Sequence, residues 1–446
     1  MTQPPACPDP AVLVRALTTD PPQVGPEDVP HLLAAGLAGE VRGRLPEGDP
    51  LRGALRAGPL ALGARHALIR AELRPLLVAW AEAGIGALLF KGFALAEFEY
   101  MTPGERFYGD VDVLLPADPA AVARAVHLAL ARGWRSDGQH ASPERWTHES
   151  AHLYSPGGHL RLDVHRFVVG WTAGSQARVR ALTRAVWAAA RRVDWEGVPV
   201  WRPDPRDALV VNLAAGRQWG GDQGGLKPAD YADMRRLLRH PDLTAEALAA
   251  RARELGAAHT WAAFRQACDP ERGHFALGEP ATRPALLHAV RRDGLRPGRL
   301  RWQNRWRVLR RLWRWLPALL PDVLAAAWAV QVGGDPRRHL ARWTPPAPGR
   351  LLPLATLEDV VAGVTWLTRR CYPRQSRVGT CVPRAYATYR ALRRLGHPAV
   401  FVSGVARGPA GVQGHAWIED PHGIPDAYGE PLNRQRFPEV FRFPGD

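Results

Sequence analysis

A cysteine, a histidine and an acid near the C-terminal end of the sequence have the types and the order of a catalytic set. Cys381 stands at the start of a predicted helix, His415 lies on a predicted strand, and Asp426 follows in the next extended segment. A thiol becomes a nucleophile when an imidazole takes its proton, and an acid orients that imidazole. The pattern predicts cysteine-dependent peptide cleavage by these three residues.

Two alternatives stay open for this set. Asp420, in the turn after the histidine strand, is a second candidate for the acid, although acids in such turns more often face solvent. A single cysteine is also more often a small buried apolar residue than a nucleophile, and the His-Ala-Trp run at 415–417 can be a core pattern. The helix-then-strand order of Cys381 and His415 favours catalysis.

Three carboxylates in the N-terminal half could share a divalent metal ion. In Gly-Asp-Val-Asp-Val at 109–113, the period of two of a strand places Asp110 and Asp112 on one side. Asp163, on a later strand-like run, is the third candidate ligand. Carboxylates hold Mg²⁺, which bridges nucleotide phosphates and neutralises developing charge. The alternative is that acids at the end of a strand simply face solvent.

Lys91 and Gly92 end a short apolar run and precede a helix-like segment. A glycine at such a turn lets backbone N–H groups approach a phosphate, and the lysine adds positive charge. Lys91 stands out because Lys227 is the other lysine of the chain, whose basic residues are otherwise arginines. The pair predicts a nucleotide-binding turn.

The predicted elements set these residues on two separate frameworks. Residues 10–83 show helical spacing, and the strand, helix and strand order that follows predicts an α/β region with helical flanks. Near the C-terminus, a helix, a loop, the helix that begins at Cys381 and two strands follow one another. We therefore expect an α+β chain of two domains, a mixed sheet in the first and a helix against an antiparallel sheet in the second.

The segment 88–115 resembles a family of uncharacterised nucleotidyltransferases. The pattern of that family is found here in the same order: Leu-Phe-Lys-Gly, Leu-Ala, a tyrosine, a proline, an arginine and Asp-hydrophobic-Asp. The resemblance extends over roughly residues 10–280. The resemblance implies a polymerase-beta-like nucleotidyltransferase fold. It also implies that Asp110, Asp112 and Asp163 bind Mg²⁺, and that Lys91-Gly92 lies near the triphosphate of a nucleoside triphosphate.

The sequence departs from that family in a later helical region. Asn212 and Arg217 replace residues of the usual pattern, whereas Lys227 and Asp233 keep part of it. Nucleotide or acceptor contacts from this region are therefore in doubt. Asp233 is equally interpreted as an ordinary solvated helix residue.

The segment 381–419 resembles the leader peptidases of lasso-peptide biosynthesis. The shared pattern is Cys-hydrophobic-x-Arg-Ala, an arginine-rich helix, Gly-x-Pro-Ala, a strand and His-Ala-Trp-x-Glu. The resemblance implies that Cys381, His415 and Asp426 cut a leader from a ribosomal precursor peptide without a cofactor. It also implies two partners, a leader-recognition protein and an ATP-dependent cyclase.

Composition limits the alternatives. Hydrophobic residues are 46% and charged residues 23% of the chain, which is typical of a folded soluble protein. The net charge of +16 would suit nucleic acid. Its nearly all-arginine origin points instead to a compositional bias, so we expect no clear nucleic-acid partner. Four cysteines without metal-binding spacing, together with an N-terminus unlike a signal peptide, favour the cytoplasm.

Tryptophans and arginines alternate between the two predicted domains, which we place at 1–280 and 350–446. Within the connector at 281–349, the segment 299–316 can lie on an anionic membrane, although its tryptophans can instead pack against a neighbouring domain. We expect no transmembrane segment. The leading hypothesis is a peptide-maturation enzyme that joins a nucleotidyltransferase to a leader peptidase. The alternatives make the first domain a non-catalytic binding module or a nucleic-acid-acting enzyme.

Overall fold

A computed structural model describes most of the chain as two compact units. The described residues are 8–116, 118–136, 149–170, 176–219, 225–296, 302, 306, 309–310, 312–345, 351–372, 379–408, 411–419 and 437–445. The first unit comprises residues 1–128, 146–150 and 159–301, and the second comprises 129–145, 151–158 and 302–446. The predicted connector at 281–349 is divided between these units.

The helices and strands up to residue 296 alternate as a mixed α/β region. The α-helices are α1 (Pro10–Thr18), α2 (Val29–Ala34), α3 (Ala38–Arg44), α4 (Leu51–Ala54), α5 (Ala57–Glu82), α6 (Lys91–Phe98), α7 (Pro119–Leu130), α8 (Gln176–Ala189), α9 (Pro205–Asp207), α10 (Gly216–Trp219), α11 (Pro228–Leu237), α12 (Ala245–Glu254), α13 (Ala258–Ala267) and α14 (Thr282–Arg292). The strands are β1 (Leu88–Phe90), β2 (Val111–Leu114), β3 (Arg135–Ser136), β4 (Glu149–Tyr154), β5 (Arg161–His165), β6 (Arg191–Trp195), β7 (Val198–Arg202), β8 (Cys268–Asp269) and β9 (His274–Phe275). Short 3-10 turns at Pro26–Asp28 and Pro103–Glu105 and a π-helix at Ala208–Ala215 complete this part.

The larger sheet is mixed and has the strand order β3-β4-β5-β2-β1-β7-β6. Strand β1 runs antiparallel to β2, whereas β2 and β5 run parallel. Both central strands are short and wholly buried, as expected for strands covered on both faces. The register places Phe90 opposite Asp112, and Asp112 opposite Asp163, so the two acids are neighbours on one face of the sheet.

Helix α5 shows how the helical flanks form. Its buried residues recur at three- and four-residue spacing from His66 through Ile69 and Leu73 to Trp80, which produces one apolar stripe against the core. The indole N–H of Trp80 donates to the carbonyl of Ala125 at 2.9 Å, so its polar atom is satisfied in the interior.

The second unit combines helices with a separate antiparallel sheet. From residue 302 on, the helices are α15 (Leu316–Val332), α16 (Pro336–Trp343), α17 (Leu354–Cys371) and α18 (Cys381–Arg394). The strands there are β10 (Val400–Gly408), β11 (Gly411–Glu419) and β12 (Glu439–Phe443) in the order β11-β10-β12. One buried cluster joins Leu319 and Val323 of α15 to Val360 of α17, Tyr389 of α18 and Phe401 of β10. Helices from the predicted connector thus share this core.

The two-domain α+β fold expected from the sequence is confirmed, with a mixed sheet in one part and an antiparallel sheet in the other. Within the described residues, no helix combines the length and the apolarity needed to cross a membrane.

Candidate functional site

Cys381 is the first residue of α18, where the sequence placed it. It is partly buried, and its thiol is hydrogen-bonded to the His415 side chain from β11. The backbone N–H of Ala416 also contacts the sulfur. The first turn of a helix presents unpaired N–H groups and the positive end of the helix dipole, and both favour a thiolate.

The surroundings of Cys381 lower its pKa below the usual range of a cysteine thiol. Burial by itself acts in the opposite direction, because it disfavours the charged thiolate. The hydrogen bond and charge of His415, the Ala416 amide and the charge of Arg384 outweigh burial. Cys268, which is deeply buried, shows the opposite balance, since burial raises its thiol pKa well above normal. Cys381 therefore has the character of a nucleophile rather than of a core cysteine.

Two aromatic rings hold the imidazole of His415. Trp417 lies two residues along β11 and stacks on it with 5.9 Å between ring centroids, and Phe437 stacks at 5.3 Å. The indole of Trp417 in turn donates to the buried carboxylate of Glu419 at 2.8 Å. His415, Trp417 and Glu419 therefore share one face of β11. These contacts limit rotation of the ring that must face Cys381.

The acid of the predicted set cannot be compared with the structure, because Asp426 and Asp420 both lie outside the described residues. Glu419 is engaged elsewhere. It accepts from Trp417 and from Arg442, the latter at 3.0 Å. Asp426 therefore stays a prediction.

The second candidate site centres on Asp112 of β2. Its Oδ1 atom lies 2.5 Å from Nζ of Lys91 and 2.8 Å from Nε2 of His165, which is fully buried on β5. Burial alone would raise the pKa of Asp112, but the Lys91 ammonium and the His165 imidazole hold it well below its usual range. The carboxylate is thus charged and already neutralised by one cation.

Asp163 is the predicted carboxylate that lies beside Asp112 in the sheet. It is the register partner of Asp112 on β5 and accepts from Nε of Arg161 at 2.9 Å. Asp110 precedes β2 and is partly exposed. The described group whose possible ligand atoms all lie within 4.8 Å of one another consists of Glu149 and His152 of β4 with Asp163, and it contains neither Asp110 nor Asp112. The sequence did not single out Glu149, because nothing in its local pattern marks it.

The oxygen donors of this set suit a divalent cation, whereas their negative charge is already balanced by basic side chains. Asp112 and Asp163 are buried acids on one face of the sheet, and each is balanced by a basic side chain, Lys91 or Arg161. Hard oxygen donors of this kind are what Mg²⁺ prefers. The residues present therefore fit the metal that the sequence suggested.

Lys91 and Gly92 lie at the end of β1 and the beginning of α6. Lys91 adopts a left-handed backbone conformation with φ of 57°, which is costly for a residue with a side chain. A Cβ atom at Gly92 would lie 2.7 Å from Cβ of Tyr108, so only glycine fits there. The glycine is therefore explained by packing against Tyr108, a contact that its sequence position did not reveal.

A buried hydrogen-bond chain fixes Tyr108 in that position. Its hydroxyl lies 2.7 Å from Nδ1 of His66, whose Nε2 lies 2.6 Å from a carboxylate oxygen of Glu97. Burial of Glu97 would raise its pKa, but the hydrogen bond with His66 contributes to a net lowering. These residues come from α5, α6 and the loop before β2, so their meeting is a tertiary feature.

Asp233 belongs to a buried ion pair and is not a solvated helix residue. Arg106 binds its two carboxylate oxygens at 2.7 Å each, and the hydroxyl of Tyr100 donates to it at 2.8 Å. Asp233 is fully buried. The tyrosine and arginine of the motif at 88–115 therefore anchor α11 to the segment before β2. In the same region, Arg217 pairs with Asp230 at 3.1 Å.

Comparisons with known proteins match two separate parts of the chain. A family described as uncharacterised nucleotidyltransferase matches residues 30–269, which is more than half of the sequence. The transglutaminase-like superfamily matches residues 320–442. No curated protein and no solved structure matches the chain. The first match contains Asp112 and its neighbours, and the second contains Cys381 and His415.

Proposed function

Because the chain belongs to the family of uncharacterised nucleotidyltransferases and also carries a transglutaminase-like domain, we propose that it matures a ribosomally made peptide of the lasso type. The C-terminal domain removes the leader as a cysteine peptidase. The N-terminal domain transfers a nucleotide or phosphate with Mg²⁺ and a nucleoside triphosphate. Joining the two activities in one chain raises the local concentration of a shared peptide.

The observation that carries this proposal is the contact between Cys381 and His415. The thiol stands at a helix N-terminus, bonds to an imidazole and has a lowered pKa. That combination is needed for a thiol to attack a carbonyl near neutral pH. The choice of a leader peptide as substrate is supported by the resemblance of segment 381–419 to lasso leader peptidases.

The cleavage proceeds in two steps. The Cys381 thiolate attacks the carbonyl carbon at the end of the leader, the C–N bond breaks, and the departing amine takes a proton from His415. A thioester joins the leader to Cys381. Water then attacks the thioester while His415 takes its proton, which releases the leader acid and restores the thiol. Asp426 is the proposed partner that orients His415.

Cleavage frees an amine on the peptide, and two other proteins are proposed to act before and after that step. A separate ATP-dependent cyclase joins that amine to an acidic side chain of the peptide. A leader-recognition protein presents the precursor to Cys381. Both partners are proposed from the same resemblance, and the peptidase itself needs no cofactor.

In the N-terminal domain, Asp110, Asp112 and Asp163 would hold Mg²⁺. The ion supplies neutralisation of the charge on nucleotide phosphates. Lys91 would move from Asp112 towards the triphosphate, which its partly exposed side chain allows. The buried His165 holds the Asp112 carboxylate in place at 2.8 Å.

A non-catalytic nucleotide- or peptide-binding module is the second candidate for this domain. It is favoured by the contact of Lys91 with Asp112, because an acid that is already neutralised needs no metal. The unmatched residues Asn212 and Arg217 agree with that alternative. The presence of all three predicted acids favours chemistry.

The experiment for the main proposal is leader cleavage by the full chain. The precursor is incubated with the wild-type protein, Cys381→Ala and the matched control Cys371→Ala, in the presence of the leader-recognition protein, and products are identified by mass spectrometry. Cys371 is an exposed cysteine at the end of α17. We expect cleavage by the wild type and the control and none by Cys381→Ala. Cleavage by Cys381→Ala at the wild-type rate would exclude this nucleophile.

A further inference from the structure

Helix α15 presents its apolar side chains to solvent on the face that normally carries polar ones. Its outward residues Leu320, Leu324 and Trp328 are 38%, 53% and 67% exposed, and Val332 at its end is 59% exposed. These residues are four apart, so they follow one arc of the helix. Pro317 and Pro321 are exposed on the same arc.

The one acidic residue of α15 faces inwards. Asp322 is almost fully buried and pairs with Arg390 at 3.1 Å and Arg394 at 2.8 Å, both from α18. The buried arc of the helix also carries Leu319 and Val323 of the second core. The usual arrangement of an amphipathic helix is therefore reversed on α15. Its acid is buried, and one apolar arc is exposed to water in addition to the apolar arc that packs in the core.

Three tryptophans that precede α15 in the chain are also exposed. Trp313 is 69% exposed, and Trp302 and Trp306 are 64% and 57% exposed and stack on each other with parallel rings. Leu312, by contrast, is buried in the second core.

Arginines flank the exposed arc at both ends. Arg310 and Arg314 precede α15, and Arg337 and Arg338 begin α16 just beyond it; all four are exposed. The sequence has no acid between 294 and 321. Asp322 is buried against α18, Asp335 caps α16, and Asp359 lies 3.5 Å from Arg314. The surroundings are therefore strongly positive.

We propose that this surface, made of the exposed arc of α15 with Trp302, Trp306 and Trp313, binds the surface of an anionic lipid membrane. Leucine and tryptophan side chains enter the boundary between headgroups and acyl chains, where tryptophan is favoured. The flanking arginines contact lipid phosphates. This inference is independent of the proposed peptide chemistry, since none of these residues belongs to either candidate site.

Charge favours a lipid surface over a second copy of the chain. Two copies that met through this face would bring their arginine-rich flanks together, and like charges repel. A membrane with anionic headgroups offers both the apolar layer and the negative charge that this surface matches.

The test is the partition of the full-length protein onto sedimented vesicles of phosphatidylcholine mixed with phosphatidylglycerol. We compare wild type with Leu324→Ser/Trp328→Ser and with the matched control Leu60→Ser/Met101→Ser, which alters equally exposed apolar residues of the first unit. The first pair should reduce partition at least about tenfold, because two inserted apolar side chains are lost. The control pair should change it by less than about twofold.

Further measurements distinguish this surface from the alternatives. Thermal unfolding and Cys381 alkylation at wild-type values show that the variants are folded. Binding should weaken with added salt and on vesicles of pure phosphatidylcholine. The proposal is overturned if wild type does not bind, if the two variant pairs behave alike, or if pure phosphatidylcholine binds equally well. A dimer formed without lipid and abolished by Leu324→Ser/Trp328→Ser would assign the surface to a second copy.

Discussion

Single residues decide the reactivity of the proposed nucleophile. Burial of Cys381 opposes ionisation, while His415, the Ala416 amide and Arg384 favour the thiolate and prevail. Arg384 lies three residues after Cys381 on α18, so the same helix carries the thiol and a nearby positive charge. This one-turn spacing of cysteine and arginine is part of the Cys-hydrophobic-x-Arg-Ala pattern at 381–385.

The first prediction concerns the pH dependence of Cys381 alkylation by iodoacetamide. Since the thiolate is the reacting form, the rate should rise with pH through a midpoint below that of an ordinary thiol. In His415→Ala the midpoint should move upwards, and the rate at neutral pH should fall several-fold, because the hydrogen bond and charge that favour the thiolate are lost. Peptide mapping by mass spectrometry separates Cys381 from the exposed Cys371.

Trp201→Phe, in the first unit, serves as the control for that comparison, and its profile should match wild type. An unchanged midpoint in folded His415→Ala would contradict the assignment of the imidazole as the base.

At the scale of elements, β10 is the central strand of the second sheet and pairs with β11, which carries His415, and with β12. Gly404 of β10 pairs with His415 on β11 and with Glu439 on β12, where the register shifts. A Cβ atom at Gly404 would lie 2.3 Å from the carbonyl oxygen of Phe437, whose ring stacks on His415. The absence of a side chain at this position thus allows the histidine to be enclosed.

The second prediction follows from that close approach. Gly404→Ala should displace the backbone at Phe437 and lower the opening free energy of β10 and β11 by about 1–3 kcal/mol. Hydrogen exchange followed by mass spectrometry measures this quantity for each strand. Alkylation of Cys381 should slow as well, because His415 loses its stacked ring.

The matched control is Gly414→Ala on the neighbouring strand, where the nearest atom to a new Cβ is the Gly404 carbonyl oxygen at 4.0 Å. It should cost less than about 1 kcal/mol. Equal exchange rates in Gly404→Ala and wild type would show that the strand can absorb the added methyl group.

At the scale of the whole molecule, the two candidate sites belong to separate units. Asp112 and Lys91 lie in the first unit, whereas Cys381 and His415 lie in the second. No side chain is shared between the two catalytic sets. Each activity should therefore be removable without direct damage to the other.

The third prediction uses this separation. Asp112→Asn should lower Mg²⁺-dependent transfer from a labelled nucleoside triphosphate by about 10- to 100-fold, because a metal ligand is weakened. Leader cleavage by the same variant should stay at the wild-type rate. Asp118→Asn is the control, since Asp118 is an exposed acid that caps α7 and an asparagine caps equally well.

Full transfer by Asp112→Asn would exclude the proposed metal role. Nucleotide binding by the wild type without any transfer would assign the domain to the non-catalytic alternative.

Local spacing was sufficient to predict the elements and the candidate residues that lie on them. The period of two in β2 identified Asp112, and the helix beginning at Cys381 and the strand through His415 followed from periodicity and a glycine stop. Alternation along β11 also predicted that Trp417 shares a face with His415. These features depend on residues close in the chain, and short-range geometry specifies them.

Contacts between distant segments could be decided only by the fold. Lys91 lies 21 residues from Asp112 in the sequence and neutralises its charge. Phe437, which follows β10 and β11 in the chain, stacks on the ring of His415. The sequence left both a family role and a solvated helix position open for Asp233, and the fold makes it a buried partner of Arg106, which is 127 residues away. The outward apolar arc of α15 likewise depends on the fold, because Asp322 faces α18. Periodicity indicates that a face is apolar, but which face is covered depends on the packing of the whole unit.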